Sequence, residues 1–246
     1  MHNPQGPAQL RYVRHATRNP KPAWITGLDL GQRKDHTTLS VIELTWQERG
    51  QCKIDYAWLY EPQFVLRGLE RVPLGLSYER IHEIVAEKMQ ILEERIVRQT
   101  NRAAPAQELI IDAGGPGPPM VDRLKRSLKK SVKITPAIIT GGKSENTLTK
   151  GYISIPRRSI LTRLVQMINA QILRCPVDLE GWDEFAREFC EISAESSQPA
   201  NSRSHDDMVM STGLAAWLAT RDVPQLIPGS ADNDGTTYGF VNKPIF

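Results

Sequence analysis

The sequence predicts an α/β protein with a central mixed sheet, three antiparallel strands followed by parallel strands, flanked by helices. Three observations carry this expectation. Near the start, three β-compatible apolar runs follow one another closely. A long segment with helical apolar spacing comes next, after which short apolar runs alternate with helical segments. A final apolar, small-residue helix closes the patterned region. Elements in that order must stack in layers about one sheet to bury their apolar faces.

The elements follow in sequence. "AWITGLDLG" (residues 23–31) mixes apolar and β-compatible residues and stops at glycine, so it reads as a buried strand. "TTLSVIELTW" (37–46) is the second strand and "CKIDYAWLYE" (52–61) the third, with "QERGQ" as the hairpin connection. After Pro73, the apolar residues Ile81, Ile84, Val85, Met89, Leu92 and Ile96 fall at helical spacing, with Ser77 as N-cap. "ELIIDAGG" (108–115) is a buried strand, and "PPMVDRLKRSLKK" is an amphipathic basic helix with proline at its start. "VKITPAIIT" and "GYISIP" are further strands. Helices are expected at 157–173 and 181–193, then a polar loop, then the last helix in "HDDMVMSTGLAAWLA" (205–219). Three antiparallel strands, a long helix, parallel strand–helix units and a terminal helix is also the order of the ribonuclease H-like fold.

Composition narrows the function classes. Hydrophobic residues make up 40% and charged residues 24% of 246, as in an ordinary globular protein. Cys52, Cys175 and Cys190 lie far apart with no C-x-x-C pair, which argues against a disulfide framework or a zinc site and fits a reducing cytoplasm. No apolar run approaches a membrane span, so no membrane partner is expected. The 31 basic residues only slightly exceed the 28 acidic ones, but they cluster. Residues 1–22 carry Arg11, Arg14, Arg18 and Lys21 without an acid and read as a basic, mobile arm. Arg123, Lys125, Arg126, Lys129, Lys130 and Lys133 form a second cluster, and Lys143, Lys150, Arg157, Arg158 and Arg163 a third. Such clusters are commonly solvated faces, and three of them suit a polyanion. The expected organisation is the arm at 1–22, one domain at 23–222 and a Gly/Pro/Asp/Asn-rich tail at 223–246.

The acidic residues point to chemistry. In an open α/β sheet, ligands collect at the carboxyl ends of the strands. Asp29 ends the first strand, Asp112 the fourth, and the adjacent pair Asp206 and Asp207 opens the last helix. Acids in a first helical turn are favoured by capping and by the helix dipole, which alone accounts for one of the pair. If all converge, however, their mutual repulsion requires divalent cations, and hard oxygen donors suit Mg²⁺ or Mn²⁺. Two such ions, roughly 3.5–4 Å apart, activate water and stabilise the leaving oxygen in phosphodiester cleavage. Asp207, lying within the helix, is expected to be a direct ligand, and Asp206 to cap the helix or reach a second metal through water. His205 reads as a ligand, a partner of a ligand or a loop residue. Asp35 and His36 read as a turn.

The order "GLDLGQRKDHTTLSVIE", "LIIDAGGPGPPMVDRLK", "PAIITGG", "ISIPRRSILTRLVQMINAQILRCP" and "SHDDMVMSTGLAAW" resembles the nuclease domain of phage terminase large subunits, over about residues 24–218. The resemblance implies a two-metal endonuclease of ribonuclease H-like fold that cuts double-stranded DNA during genome packaging. It matches Asp29, Asp112 and one or both of Asp206 and Asp207 to the family's metal ligands. It also implies dealings with a small terminase subunit or portal. A complete large subunit carries an ATPase domain before its nuclease, and here only the arm precedes the first strand, which reads as a separately encoded nuclease, an excised domain or a prophage fragment, with a separate packaging ATPase among the partners the resemblance implies. "AIITGGKS" (137–144) fits a relaxed P-loop pattern, but the phosphate-binding helix that the mechanism needs does not follow it. Lys143 and Lys150, with Lys125, Arg126, Lys129, Lys130, Arg157 and Arg158, are instead expected to meet DNA phosphates.

Other classes share parts of this pattern. An actin- or sugar-kinase-like ATPase has the same strand order but no use for adjacent acids on a terminal helix. A Holliday-junction resolvase or transposase would use the same metal chemistry on other DNA structures. A catalytically silent DNA-binding remnant is the non-enzyme alternative, against which the intact Asp29, Asp112, Asp206 and Asp207 stand.

Overall fold

The computed structural model describes residues 13–15, 20–31, 35–53, 56–100, 106–115, 117–195 and 206–221. Among the described residues the elements follow in the order β1 (Val13–His15), β2 (Ala23–Asp29), β3 (Thr38–Gln51), β4 (Trp58–Arg71), α1 (Tyr78–Thr100), β5 (Ala106–Asp112), α2 (Gly117–Ser127), β6 (Val132–Thr140), β7 (Asn146–Thr147), β8 (Ile153–Pro156), α3 (Arg157–Asn169), β9 (Leu173–Arg174), α4 (Trp182–Glu195) and α5 (Asp207–Ala219). They form one sheet in the order β1-β4-β3-β2-β5-β6-β8-β7, with β9 beside β4. β2, β3 and β4 are mutually antiparallel neighbours, while β5 is parallel to β2, β6 to β5 and β8 to β6. This is the ribonuclease H-like arrangement expected from the sequence.

Each face of the sheet is covered by helices whose apolar residues supply one core. On one side α1 and α2 bury Ile81, Val85, Met89, Met120, Val121 and Leu124 against Leu28, Leu109 and Ile111. Ser77 caps α1 as expected, its Oγ accepting the Arg80 N–H at 3.2 Å. On the other side α3, α4 and α5 bury Ile160, Leu164, Phe185, Val209 and Leu214 against Ile25, Ile42, Phe64 and Ile110. Every residue of α5 is buried, which is why its sequence is apolar or small all round. Side chains from β1 are not described; its backbone pairs with β4 within the stretch read as an arm.

The packing of α5 onto β2 positions the site. At Gly27, midway along β2, a Cβ would stand 1.9 Å from the Ser211 backbone oxygen and 2.9 Å from the Ala215 nitrogen. Only glycine lets this helix lie so close to the strand. Beside it, the Ser40 hydroxyl bonds those of Ser211 and Thr212 at 2.7 and 2.8 Å, so the buried polar groups of the interface satisfy one another. Gly27→Ala is expected to cost 3 kcal/mol or more, since overpacking costs about 1–3 kcal/mol even where side chains can yield, and here the obstacle is backbone. Urea unfolding checks this, and a midpoint within error of the unaltered protein would refute it.

Two sequence expectations shift. The third strand starts at Trp58 and not at Cys52, and β3 runs through the expected hairpin to Gln51. The connection instead closes between Cys52, whose N–H donates to the Ala57 oxygen at 2.8 Å, and Tyr56 at φ 56°, whose N–H donates to the Cys52 oxygen at 3.0 Å. Additional short strands, β7 and β9, appear where no strand was expected.

Candidate active site

β2, β4, β5, β6 and β8 all run in one direction, so their carboxyl ends share one edge of the sheet. The register places Asp112 level with Ala137 of β6, which is level with Ile153 of β8. Asp29 lies at the same edge, as the last residue of β2, next to β5. α5 begins there with Asp207, and Arg157 opens α3 directly after β8.

Electrostatics ties these residues together. The Asp29 carboxyl is pushed up from 3.8 to about 8, first by burial and then by the negative charges of Asp112 and Asp207; Arg157 opposes the shift and Asp35 adds a little to it. Asp112 is also raised, burial outweighing the N–H groups of Gly114 and Ile139 that its carboxylate accepts. The Gly114 bond is 2.9 Å long and fixes the carboxylate through a local turn. Asp207 is buried, and its Oδ2 accepts the His36 N–H at 3.1 Å while its backbone oxygen accepts the Thr38 hydroxyl at 2.7 Å. The Asp35–His36 turn, read from sequence as a connection, thus both braces Asp207 and places a further acid near Asp29.

Asp206 behaves differently from its neighbour. Its side chain makes no capping bond to α5 and pairs instead with the Arg157 guanidinium. The expected capping role falls to Glu188 of α4, a buried acid that no sequence motif marked. Its Oε2 accepts the N–H groups of Met208 and Val209 at 2.9 and 3.3 Å, and its Oε1 is paired with Arg71 at the end of β4. Burial raises the Glu188 carboxyl, Arg71 lowers it, and the nearby Asp207 charge adds to the rise. His205 lies outside the described residues.

The basic residues divide between the two ends of the sheet. α2 runs back from the acidic edge, and β6 restarts at Val132, level with Gln107 near the start of β5. Val132 is therefore about 16 Å from the level of Asp112, five residues of strand rise away, and Lys125 and Arg126, eight and nine residues beyond Gly117, are about 12–14 Å down α2. Lys129 is paired there with Glu93 of α1. The structure thus separates this cluster from the acids. Lys143, Arg157 and Arg158 stand at the acidic edge, whereas Lys150 sits in the turn leading into the amino end of β8. The Gly141–Ser144 loop leads into β7 and not into a helix, so it lacks the architecture of a P-loop.

A divalent cation fits the chemistry of this donor set: carboxylate oxygens on three elements, with a shared repulsion that a cation would relieve. Among the described residues, no three His, Cys, Asp or Glu side chains are arranged to hold a metal ion as they stand. No described helix is long and apolar enough to cross a membrane.

The strand order and directions define a ribonuclease H-like α/β fold, with Asp29, Asp112 and Asp207 at the carboxyl edge of its sheet. No family model and no curated protein matches the sequence. Among solved structures, an Mn-soaked human cytomegalovirus terminase nuclease domain is similar in structure over 79% of this chain and 82% of that one, at TM-score 0.44 and 11% identity. A second structure of the human cytomegalovirus terminase nuclease domain is similar over 80% of this chain and 82% of that one, at TM-score 0.46 and 12% identity.

Proposed function

We propose that this chain is a Mg²⁺- or Mn²⁺-dependent endonuclease that hydrolyses double-stranded DNA by two-metal chemistry. The observation that carries the reading is that Asp29, Asp112 and Asp207, from two strand ends and a helix start, lie at one edge of the sheet, where the charges of Asp112 and Asp207 add to burial in raising the Asp29 carboxyl. A structural role gives no reason to bury like charges together, whereas cation binding does. Asp29, Asp112 and Asp207 would hold the metal, with Asp206 at the margin, tied to Arg157. When bound, such ions supply activated water and stabilise the leaving oxygen. The protein's own contribution is to fix the carboxylates: Asp207 through the His36 N–H, Asp112 through the Gly114 N–H. Arg157, Arg158 and Lys143 put positive charge at the same edge, where a phosphodiester would approach.

The resemblance to terminase nucleases extends the proposal to viral genome packaging, with a separate packaging ATPase, a small terminase subunit or a portal as partners. The nuclease unit is taken as residues 23–222, flanked by the basic arm and the tail. The test is incubation of the full chain with supercoiled plasmid. Nicking and linearisation with Mn²⁺ or Mg²⁺, abolished by EDTA, are expected. Equal cleavage in EDTA would overturn the metal mechanism, and preference for a four-way junction over linear duplex would turn the reading towards a resolvase.

A further inference from the structure

Beside the acidic edge, the loop after β6 and the first turns of α3 enclose a cleft of about 440 Å³ lined by Lys143, Arg158 and Arg163. Its one carboxylate, Glu145, already accepts the Trp217 indole N–H at 2.8 Å. No ion pair is made by Lys143, Arg158 or Arg163 among the described residues. Arg163 is the unusual member. It is largely surrounded by protein, and its Nη1 is buried with no hydrogen-bond partner. Burial disfavours its charged form and only Glu145 opposes that. A buried guanidinium with an unpaired N–H is costly, and such a group persists where an anion is to be received.

We propose that this cleft is a phosphate pocket, anchored by Arg163 and flanked by Arg158 and Lys143, that takes one backbone phosphodiester of the DNA strand being cut. The inference rests on the nuclease reading and adds the site that sets the strand's path. β8, from whose end α3 springs, lies two strand spacings from β5, on the order of 10 Å at about 4.8 Å per spacing, and Arg163 is six residues, about 9 Å, along α3. At 3.4 Å of rise per nucleotide, the combined offset of about 13 Å is roughly four nucleotides from the reacting bond. Arg157, held by Asp206, stands between the two sites and continues the positive track. A guanidinium presenting two donors suits a phosphate's oxygens better than a lysine would.

The test is anisotropy of a labelled DNA duplex with the full chain in EDTA, where no cleavage is needed. Arg163→Met should weaken binding about tenfold and make the salt dependence shallower by about 0.9 in log–log slope, the loss of one phosphate contact. Its melting temperature should stay level or rise, because an unpaired buried charge has been removed. Arg158→Gln and Lys143→Gln, both exposed, should each weaken binding by about threefold or more. The combined Gln variant at Lys125, Arg126, Lys129 and Lys130 should bind as the unaltered chain does. Unchanged affinity in Arg163→Met overturns the proposal. If that variant both melts lower and binds less, unchanged binding by Arg158→Gln and Lys143→Gln overturns it, and weakened binding supports it. Absence of DNA binding by the unaltered chain also overturns it. A chain that binds through these residues but never cuts with Mn²⁺ would remove the nuclease reading and leave the pocket. Cutting with all three variants binding normally would do the reverse.

Discussion

Asp29→Asn is expected to abolish DNA cleavage and to make the metal-free protein more stable at neutral pH. Both effects have one cause. In the folded protein the carboxyl is raised to about 8, by burial first and by Asp112 and Asp207 second. In the unfolded chain it titrates near 4. Between those values the folded state binds the proton that the unfolded state has released. Stability is therefore full below about pH 4 for this group and falls as pH rises towards 8. At 1.36 kcal/mol per pH unit, the rise from 3.8 to about 8 makes the full loss on the order of 5–6 kcal/mol. Asparagine keeps the shape, cannot ionise and removes that slope. Thermal melts from pH 5 to pH 8.5 in EDTA should show the unaltered protein losing stability and Asp29→Asn losing much less. Mn²⁺ at pH 8 should raise the melting temperature of the unaltered protein and leave Asp29→Asn nearly unmoved. Parallel pH profiles for the two proteins, or a variant that cleaves at the ordinary rate, would remove Asp29 from the site.

How far the sequence foretold this depends on where each signal is carried. β2, β5 and β6 are central strands whose middles are buried, and their apolar runs mark them within three residues at either end. The expected third strand ends at Glu61, whereas β4 runs on through Pro62, a residue that usually breaks a strand, to Arg71. Pro62 pairs with Trp46 of β3, while β1 pairs only with residues 58–60 and β9 only with 64 and 65, so its missing N–H interrupts no ladder. Asp29 and Asp112 were legible because strand ends followed by glycine are local features. The fate of the basic runs was not, since a run of charge does not say which end of the sheet its helix reaches. The direction of α2 decided that. Glu188 was hidden for a similar reason: it caps a helix that begins 19 residues later in the chain, and only the packing of α4 on α5 brings them together.

Glu188→Ala is expected to destabilise the protein by about 3–5 kcal/mol, whereas Asp206→Ala should cost no more than about 1 kcal/mol. Adjacent acids at a helix start suggested the opposite order, with Asp206 as the cap. The backbone of Asp206, at φ −121° and ψ 22°, carries its side chain towards Arg157 and leaves the first N–H groups of α5 to another acceptor. Glu188 accepts two of them from within the core. Removing it uncaps a fully buried helix that has no water to turn to. It also strips the counter-charge from Arg71, whose Nε is already buried without a partner. The Asp206–Arg157 pair is half-exposed and falls in the class of surface ion pairs that contribute little. Loss of the cap should also release Asp207, the first residue of α5, from its place beside His36. Glu188→Gln keeps an acceptor for the helix but loses the charge opposite Arg71, so it should fall between the two in denaturant unfolding. Equal midpoints for Glu188→Ala and Asp206→Ala would mean that α5 is anchored by its apolar contacts alone and that Asp207 owes its position to the Thr38 and His36 bonds.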